Sequence, residues 1–250
     1  MIGFSLVVPC YNDAVRLRHS VEVLCDAMKE IGLSWEFVFV EDHSRDETAA
    51  ELRRSIEWLQ SRGIEVSAMY MDHNHGHGSA LGSGIRAARG EIVGYIELDV
   101  SLVHGLVPMI ERVRCGDADI VVGRRVFGNP FAVPIRSFSY WIYRKYVSAC
   151  LRLPVADPEC RLKVFRRTRV VPLLDAVEDQ HCFWDTELID RARRAGLAIA
   201  EWPVVVVGAF RAKGGPLLRA ARAYHRAMKN YRLKTAIAGG RREPRTSPHR

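Results

Sequence analysis

"FSLVVPCYND" (residues 4–13) begins with a short apolar run and ends in polar residues. An apolar run of this length that is closed by Pro9 predicts a strand buried on both faces. Similar apolar runs return at residues 35–42, 65–71 and 91–100. Segments whose apolar residues have helical spacing separate these runs. Strand and helix therefore alternate, which is typical of an open, mainly parallel α/β sheet flanked by helices.

The segments between the apolar runs predict helices over residues 13–32, 44–63 and 79–90. The second of these opens with the capping pattern Ser44-x-x-Glu47, in which the two side chains satisfy free backbone N–H groups. The third is rich in glycine, alanine and serine, so we expect it to pack closely through small residues.

The second half of the chain is less regular. It contains three further predicted strands, at residues 119–126, 161–167 and 198–207. Pro203 interrupts the last of them and predicts a position at the edge or at a bend of the sheet. The predicted helices of this half cover residues 134–153, 184–196 and 216–238.

The charge of the chain favours anionic partners. Its formal net charge is +8. From Arg211 onwards the sequence contains many Lys and Arg residues but a single acid, Glu243. The six cysteines lie far apart without a CxxC pair, which argues against a disulfide framework and suits a reducing compartment. The sequence shows neither a signal peptide nor an apolar run approaching the roughly 18 residues of a bilayer span. We expect a cytoplasmic protein that is at most peripheral to the inner face of a membrane.

Polar residues follow each strand of the first half. Parallel α/β sheets bind ligands beyond the carboxyl ends of their strands, so these residues form the expected site. Glu97 and Asp99 are hard oxygen ligands that suit Mg²⁺ or Mn²⁺ held together with substrate phosphates. From the residues alone, a solvated acidic turn remains the alternative.

Two other classes of protein fit the sequence less well. A dinucleotide oxidoreductase needs G-x-G-x-x-G after its first strand, and "VPCYND" contains no glycine. A nucleic-acid-binding module is suggested by the isoelectric point of about 9.4. Its charge would be expected on a recognisable reader motif, and none is apparent.

Several motifs taken in order carry a family resemblance. "VVPCYND", "FVEDHSRDET", "NHGHGSALGSGIRAARGEIVGYIELD" and "ADIVVGRR" resemble, in order and spacing, the family 2 glycosyltransferases of the GT-A fold. "DPECRLKVFRR", "FWDTELIDRARRAG" and "FRAKGG" resemble segments of the polyprenyl-phosphate branch, which includes dolichyl-phosphate mannosyl- and glucosyltransferases. The resemblance covers roughly residues 4–230.

The resemblance implies an inverting, metal-dependent glycosyltransferase with a GT-A fold and a single Rossmann-like mixed sheet. It would move a sugar from a UDP- or GDP-sugar to a polyprenyl-phosphate-type acceptor, with Mg²⁺ or Mn²⁺ as cofactor. It also implies a transferase domain over residues 1–235. The donor would bind in residues 1–100 and the acceptor in residues 101–215. A basic helix (216–235) and a disordered basic tail (236–250) would follow.

The resemblance also implies roles for individual residues. The donor-binding positions are Pro9, Tyr11, Asp13, Asp42, Asn74, Gly76, His77, Gly78, Glu97, Leu98, Asp99, Arg125 and Lys213. Within this set, Asp42 would read the nucleotide base, Glu97 and Asp99 would hold the metal, and Arg125 and Lys213 would meet the diphosphate. The acceptor-binding positions are Asp157, Cys160, Lys163 and Arg166. The catalytic positions are Asp99, Asp185 and Glu187, with Glu187 as the base for a hydroxyl acceptor.

The sequence departs from the family pattern at informative positions. Glu97 replaces the first Asp of the metal motif, and His43 replaces a glycine. Arg161 and Leu162 replace a Gly-Phe pair in the acceptor segment. Two alternatives therefore stay open. The acceptor could be a soluble hydroxyl or phosphate in specialised-metabolite or cell-envelope glycan synthesis, or the chain could be catalytically dead.

The stretch "DHNHGHGSALGSG" (72–84) invites a zinc site, because it contains His73, His75 and His77. We expect these alternating side chains to point to opposite sides, and no fourth ligand is apparent. We instead expect its glycines to let the backbone approach the donor. A helix starting near Ser79 would offer its amino end to phosphate.

Overall fold

The computed structural model describes residues 2–98, 100–127, 145–147, 149–206 and 217–240. The chain divides into two compact units, residues 1–211 and 212–250. Asp99, Lys213 and most of the predicted helix 134–153 lie outside the described residues. The predicted division at residues 100, 215 and 235 stays a prediction. In the described part of the chain, no helix combines the length and hydropathy that crossing a bilayer requires.

The first unit is built on one seven-stranded sheet. Its strands in chain order are β1 (Phe4–Cys10), β2 (Trp35–Glu41), β3 (Glu65–Tyr70), β4 (Ile92–Ile96), β5 (Ile120–Phe127), β6 (Leu162–Arg166) and β7 (Ile199–Val206). Their order across the sheet is β3-β2-β1-β4-β6-β5-β7. The strand that contains Pro203 is therefore an edge strand, as its sequence predicts.

Helices connect the strands. The helices of the described residues are α1 (Ala14–Met28), α2 (Thr48–Gln60), α3 (His77–Ala87), α4 (Leu106–Arg114), α5 (Arg167–Val170), α6 (Trp184–Arg194) and α7 (Leu217–Gly240). Short 3-10 helices cover Val100–Gly105 and Val171–Ala176. Helix α7 belongs to the second unit.

The sheet is mixed because one strand runs against the others. The first four strands are mutually parallel, and β7 is parallel to β5. Strand β6 is antiparallel to both β4 and β5. Its first residue, Leu162, pairs with the last residue of β4, Ile96. The segment before β6 therefore lies at the edge where the parallel strands end, which is where α/β sheets bind ligands. The predicted mixed α/β class is confirmed.

Strand burial explains why these runs form the sheet. Every residue of β1 is buried, as a strand covered on both faces requires. Glu36 is a buried charged residue of β2, and Ser5 and Arg89 donate hydrogen bonds of 2.7–2.8 Å to its carboxylate. Burial alone would raise the pKa of Glu36, but these hydrogen bonds lower it overall.

Helix α3 packs on the sheet through small residues, as expected. A Cβ added at Gly84 would lie 2.5 Å from Cγ1 of Val7 and 2.9 Å from Cγ2 of Val40. Both contacts are far inside van der Waals distance, so only glycine permits this approach. Because α3 follows the histidine-rich loop directly, this packing also positions that loop.

The Gly84→Ala substitution should therefore lower the free energy of unfolding by about 1–3 kcal/mol, since the added methyl overpacks the core. Gly82→Ala in the same helix is the matched control, because its Cβ would meet only the end of the flexible Arg86 side chain at 3.3 Å. Helix propensity predicts a gain of up to about 1 kcal/mol for this control. Urea unfolding followed by circular dichroism measures both. Equal stability of the two variants would contradict the close packing of α3.

Candidate active site

The turns after β1 and β2 interlock at the carboxyl edge of the sheet. The backbone N–H of Asn12 donates to Oγ of Ser44 (3.0 Å), and the N–H of Arg45 donates back to Oδ1 of Asn12 (2.9 Å). The N–H of Asp13 donates to Oγ1 of Thr48 (2.7 Å). The predicted donor-binding turn at residues 11–13 is therefore held by side chains of the neighbouring turn.

The predicted cap of α2 by Ser44 is wrong. The helix begins at Thr48, and the N–H of Thr48 donates to Asp46 (3.0 Å). The Ser44 hydroxyl instead accepts the N–H of Asn12 across the turn. His43, which replaces the family glycine, keeps a positive φ of 55°. That left-handed conformation is one that glycine adopts at little cost.

Asp42 organises the loop that follows β3. One carboxylate oxygen accepts the N–H of His75 (2.8 Å), and the other accepts the N–H of Gly76 (3.0 Å) and Nδ2 of Asn74 (3.0 Å). Only 3% of Asp42 is exposed. The predicted contact of Asp42 with the nucleotide base stays a prediction. The structure adds that this carboxylate fixes the backbone of residues 74–76.

The amino end of α3 contacts the protein rather than standing open. The helix begins at His77, and the N–H groups of Gly78 and Ser79 both point to the carbonyl oxygen of Gln180, at 2.9 and 3.4 Å. A contact of these amides with a phosphate stays a prediction that this geometry does not support. The segment before α6 takes that place.

The glycines of this loop are required by the same packing. Gly76 has a φ of 94°, and a Cβ there would lie 2.3 Å from Nδ1 of His181. A Cβ at Gly78 would lie 2.5 Å from Cβ of Trp184. Their need for a bare backbone arises from the protein segment at residues 180–184. We expected from the sequence that these glycines allow the backbone to approach the donor closely. That approach is not needed to explain why glycine occupies these positions.

Glu187 holds that segment in place. Its carboxylate accepts the N–H groups of Glu178 (3.0 Å) and Asp179 (2.9 Å). Nε and Nη2 of Arg191 donate to it as well, at 2.8 and 2.6 Å. Four donors and nearly complete burial make Glu187 a residue that positions the loop before α6.

Asp185, two residues earlier on the same helix, lies in a different environment. Nζ of Lys163 donates to Oδ1 of Asp185 (2.7 Å) and to the carbonyl oxygen of Cys160 (2.6 Å). The Tyr95 hydroxyl also donates to Asp185. Lys163 is fully buried, and Asp185 is 4% exposed. Nε2 of His77 lies 3.8 Å from the other oxygen of Asp185.

Burial opposes charge on both members of this pair. It lowers the pKa of Lys163 to about 7. Desolvation also raises the pKa of Asp185 well above its usual range. Two groups this close titrate as a unit, so their protonation states are linked. A carboxyl group with a raised pKa at a strand-end site is suited to proton transfer near neutral pH.

His77 joins the Asp185 cluster to the predicted metal motif. Nδ1 of His77 lies 3.7 Å from Oε1 of Glu97. Arg161, which replaces the family glycine, donates to Oε2 of Glu97. Asp99 lies outside the described residues. Glu97, His77 and Asp185 are therefore close together at the carboxyl edge of the sheet.

Arg125 and Asp157 form a buried pair instead of lining an open site. Nε and Nη2 of Arg125 donate to the two oxygens of Asp157, each at 2.8 Å. The two side chains are 2% and 0% exposed. This geometry clamps the segment before β6 to strand β5. The contact of Arg125 with the diphosphate stays a prediction, and so does the contact of Asp157 with the acceptor. The buried pairing of the two side chains supports neither.

The remaining predicted acceptor residues do not share an exposed surface. Cys160 and Lys163 are fully buried, and burial raises the pKa of the Cys160 thiol to about 11. Arg166 lies at the far end of β6, where it pairs with Glu91 (2.6 Å) at the amino end of β4. Lys163 therefore holds Asp185 from inside the protein. The position of Arg166 does not favour a role at the same site.

Sequence reasoning missed two residues of this region and the partner of a third. Tyr95 and Gln180 had no signal, because a strand tyrosine and a loop carbonyl reveal no partner until the chain folds. Arg161 did have a signal, since a charged residue replaces a family glycine there. Its consequence, a cation beside Glu97, required the pairing of β4 with β6.

The comparisons with known proteins agree with this architecture. Residues 5–170 match the model of the glycosyl transferase family 2. The chain is 33% identical over 213 residues to glycosyltransferase AglD of Haloferax volcanii, covering 81% of this chain and 33% of that protein. It is 25% identical over 225 residues to a dolichyl-phosphate beta-glucosyltransferase of Dictyostelium discoideum, covering 80% and 65%. The chain thus spans from one third to just under two thirds of the length of these relatives.

Solved structures show the same fold. Glucosyl-3-phosphoglycerate synthase from Mycobacterium tuberculosis, in complex with Mn²⁺ and UDP-glucose, superposes with a TM-score of 0.62 at 19% identity, covering 95% of this chain and 78% of that one. A mannosyltransferase from Pyrobaculum calidifontis, in complex with GDP-Man and Mn²⁺, gives 0.55 at 20% identity, covering 89% and 61%. The mixed sheet, the order of motifs and the family match together show that the chain belongs to glycosyl transferase family 2 and has the GT-A fold.

Proposed function

We propose that this chain transfers a sugar, with inversion, from a nucleotide-diphosphate sugar to a polyprenyl-phosphate-type lipid. The observation that carries the proposal is the convergence of Glu97, His77 and Asp185 at the carboxyl edge of the sheet. The relatives support the acceptor class, since they include a dodecaprenyl-phosphate galacturonate synthase and dolichyl-phosphate beta-glucosyltransferases. Solved structures of the same fold contain UDP-glucose or GDP-Man with Mn²⁺.

The predicted metal site fits a hard divalent cation by its chemistry. Glu97 and Asp99 would hold Mg²⁺ or Mn²⁺ with oxygen ligands. When bound, such an ion neutralises charge on the departing diphosphate. Arg161 already contacts the Glu97 carboxylate, so Glu97 would have to share its two oxygens between Arg161 and the ion. The other donor residues would be those of the turns at 9–13 and 41–42, with the loop 74–78 and Lys213.

The residue that faces the reaction in this proposal is Asp185 rather than Glu187. The Glu187 carboxylate accepts four hydrogen bonds. One oxygen of Asp185 faces His77, whereas the other accepts hydrogen bonds from the buried Lys163 and Tyr95. A phosphate acceptor is largely dianionic at neutral pH, since its second pKa is about 6, and attacks without a base. Asp185 then orders the site. For a hydroxyl acceptor, Asp185 is the group that takes the proton.

We place the protein on the cytoplasmic side of a membrane, as a peripheral protein. Helix α7 carries exposed basic residues, Arg226, Lys229, Arg232 and Lys234. Leu233 on the same helix is 55% exposed. Each well-placed basic residue near an anionic bilayer contributes about 1 kcal/mol of binding.

One soluble-acceptor alternative has a specific observation behind it. Arg161 stands where the polyprenyl-phosphate branch has glycine, and its guanidinium lies at the site edge against Glu97. Such a cation could also receive a small anionic acceptor. The donor chemistry would be the same.

A donor panel tests the proposal directly. UDP- and GDP-sugars with Mn²⁺ or Mg²⁺ are incubated with undecaprenyl phosphate, and chloroform-soluble labelled sugar is measured. We expect one donor class to give lipid-linked product. A water-soluble product formed only with soluble acceptors would support the alternative. If no donor releases nucleoside diphosphate, a catalytic role is contradicted. The chain would then be a catalytically dead or nucleic-acid-binding module.

Two carboxyl substitutions distinguish the roles of Asp185 and Glu187. With a hydroxyl acceptor, Asp185→Asn should lower kcat at least about a hundredfold, because a general base typically contributes that much. With a phosphate acceptor the loss of kcat per folded enzyme should be much smaller, because a dianionic phosphate attacks without a base. Glu187→Gln, the matched control, should lower Tm while kcat per folded enzyme stays within about tenfold. The opposite result, a folded Glu187→Gln enzyme that has lost more turnover than Asp185→Asn, would return the base to Glu187.

A further inference from the structure

A cluster of metal-ligand side chains lies just beyond β3, outside the region around Asp185. Oδ1 of Asp72 lies 2.9 Å from Nδ1 of His73 and 2.8 Å from Nε2 of His75. The two imidazole rings lie against each other, with their centroids 3.7 Å apart and their planes tilted by 33°. One ligand atom from each residue lies within 4.8 Å of the other two. The expectation that the alternating histidines point apart is therefore wrong for this pair, since side chains two residues apart in an extended segment already share a face.

The backbone departs from an extended path for a definite reason. Asp42 accepts hydrogen bonds from Asn74, His75 and Gly76 and curls the loop around its buried carboxylate. The curl brings His75 back toward Asp72, and it turns His77 toward Glu97 and Asp185. The loop is thus fixed by a group that is not itself one of the clustered side chains. A binding site built on it loses little conformational freedom when an ion binds.

We propose that Asp72, His73 and His75 bind one divalent transition-metal ion of the zinc type. Two imidazoles and one carboxylate suit Zn²⁺, Ni²⁺ or Cu²⁺ better than Mg²⁺, which prefers oxygen ligands. Bonds of about 2.0–2.1 Å in a tetrahedron place ligand atoms roughly 3.3 Å apart. The two separations from Asp72, 2.9 and 2.8 Å, reach that value with shifts of about half an ångström. Asp72 and His73 are exposed and His75 is partly exposed, so water completes the coordination.

This site differs from the predicted donor metal site in ligands and in place. Glu97 and Asp99 offer oxygen atoms only, whereas His73 and His75 offer nitrogen. The two sites share a loop, because His77 contacts the Glu97 region two residues after His75. An ion held by the three side chains would hold the loop between β3 and α3 more firmly. Its binding does not depend on the proposed transfer reaction.

Calorimetric titration of the metal-free, full-length protein with Zn²⁺ tests the proposal. We expect one site in the wild type and at least a tenfold weaker one in His73→Gln and in His75→Gln, since loss of a ligand costs at least as much as loss of its supporting contacts. His19→Gln, an exposed histidine on α1, is the matched control and should bind like the wild type. Zn²⁺ should also raise Tm in the wild type and in His19→Gln but not in the two loop variants.

The exposed thiols need a control of their own. Cys115 and Cys182 are exposed, so the titration is repeated with Cys115→Ser and Cys182→Ser together, which should retain the site. Zn²⁺ binding that survives in both loop variants, that disappears with the thiols, or that is absent from the wild type would each overturn the proposal. Mn²⁺ binding in the presence of a nucleotide sugar should be unchanged in His73→Gln. That measurement separates failure of this site from failure of the proposed function.

Discussion

The contact between Lys163 and Asp185 is the interaction on which the site depends. Lys163 lies on β6, which runs antiparallel to both of its neighbouring strands, and Asp185 lies in the first turn of α6. A buried ion pair without further partners would be costly, because both charges lose their hydration. Tyr95 and the carbonyl oxygen of Cys160 supply those partners. The pair thereby fixes where α6 begins relative to the sheet, and with it the carboxyl group that faces His77.

Carboxylates also build the surrounding loops. Asp42 fixes residues 74–76, and Glu187 fixes residues 178–179. The two loops then meet where Gln180 caps α3. Hydrogen bonds to a charged acceptor are stronger than those between neutral groups, so a few acids can hold long irregular segments. Residues that look catalytic by their type thus divide into those that shape the site and those that face it.

The sequence predicted the elements better than their partners. Apolar runs gave every strand, and Pro203 gave the edge position of β7, because burial and missing N–H groups leave a local trace. The direction of β6 left none, and it decides that Lys163 is buried and that Arg161 meets Glu97. The shape of the histidine-rich loop left no local trace in the sequence either. Its shape depends on Asp42, roughly thirty residues earlier, which no periodicity reveals.

The most direct test of this account is the titration of the Lys163 side chain itself. Lysine labelled with ¹³C is followed by NMR across pH, and the Lys163 signal is assigned by its absence in Lys163→Met. The account predicts a midpoint near the pKa of about 7 that burial imposes. It also predicts that Asp185→Asn moves this midpoint lower, because the neighbouring anion is gone. A midpoint near the ordinary lysine value of about 10.4, unchanged by Asp185→Asn, would contradict it.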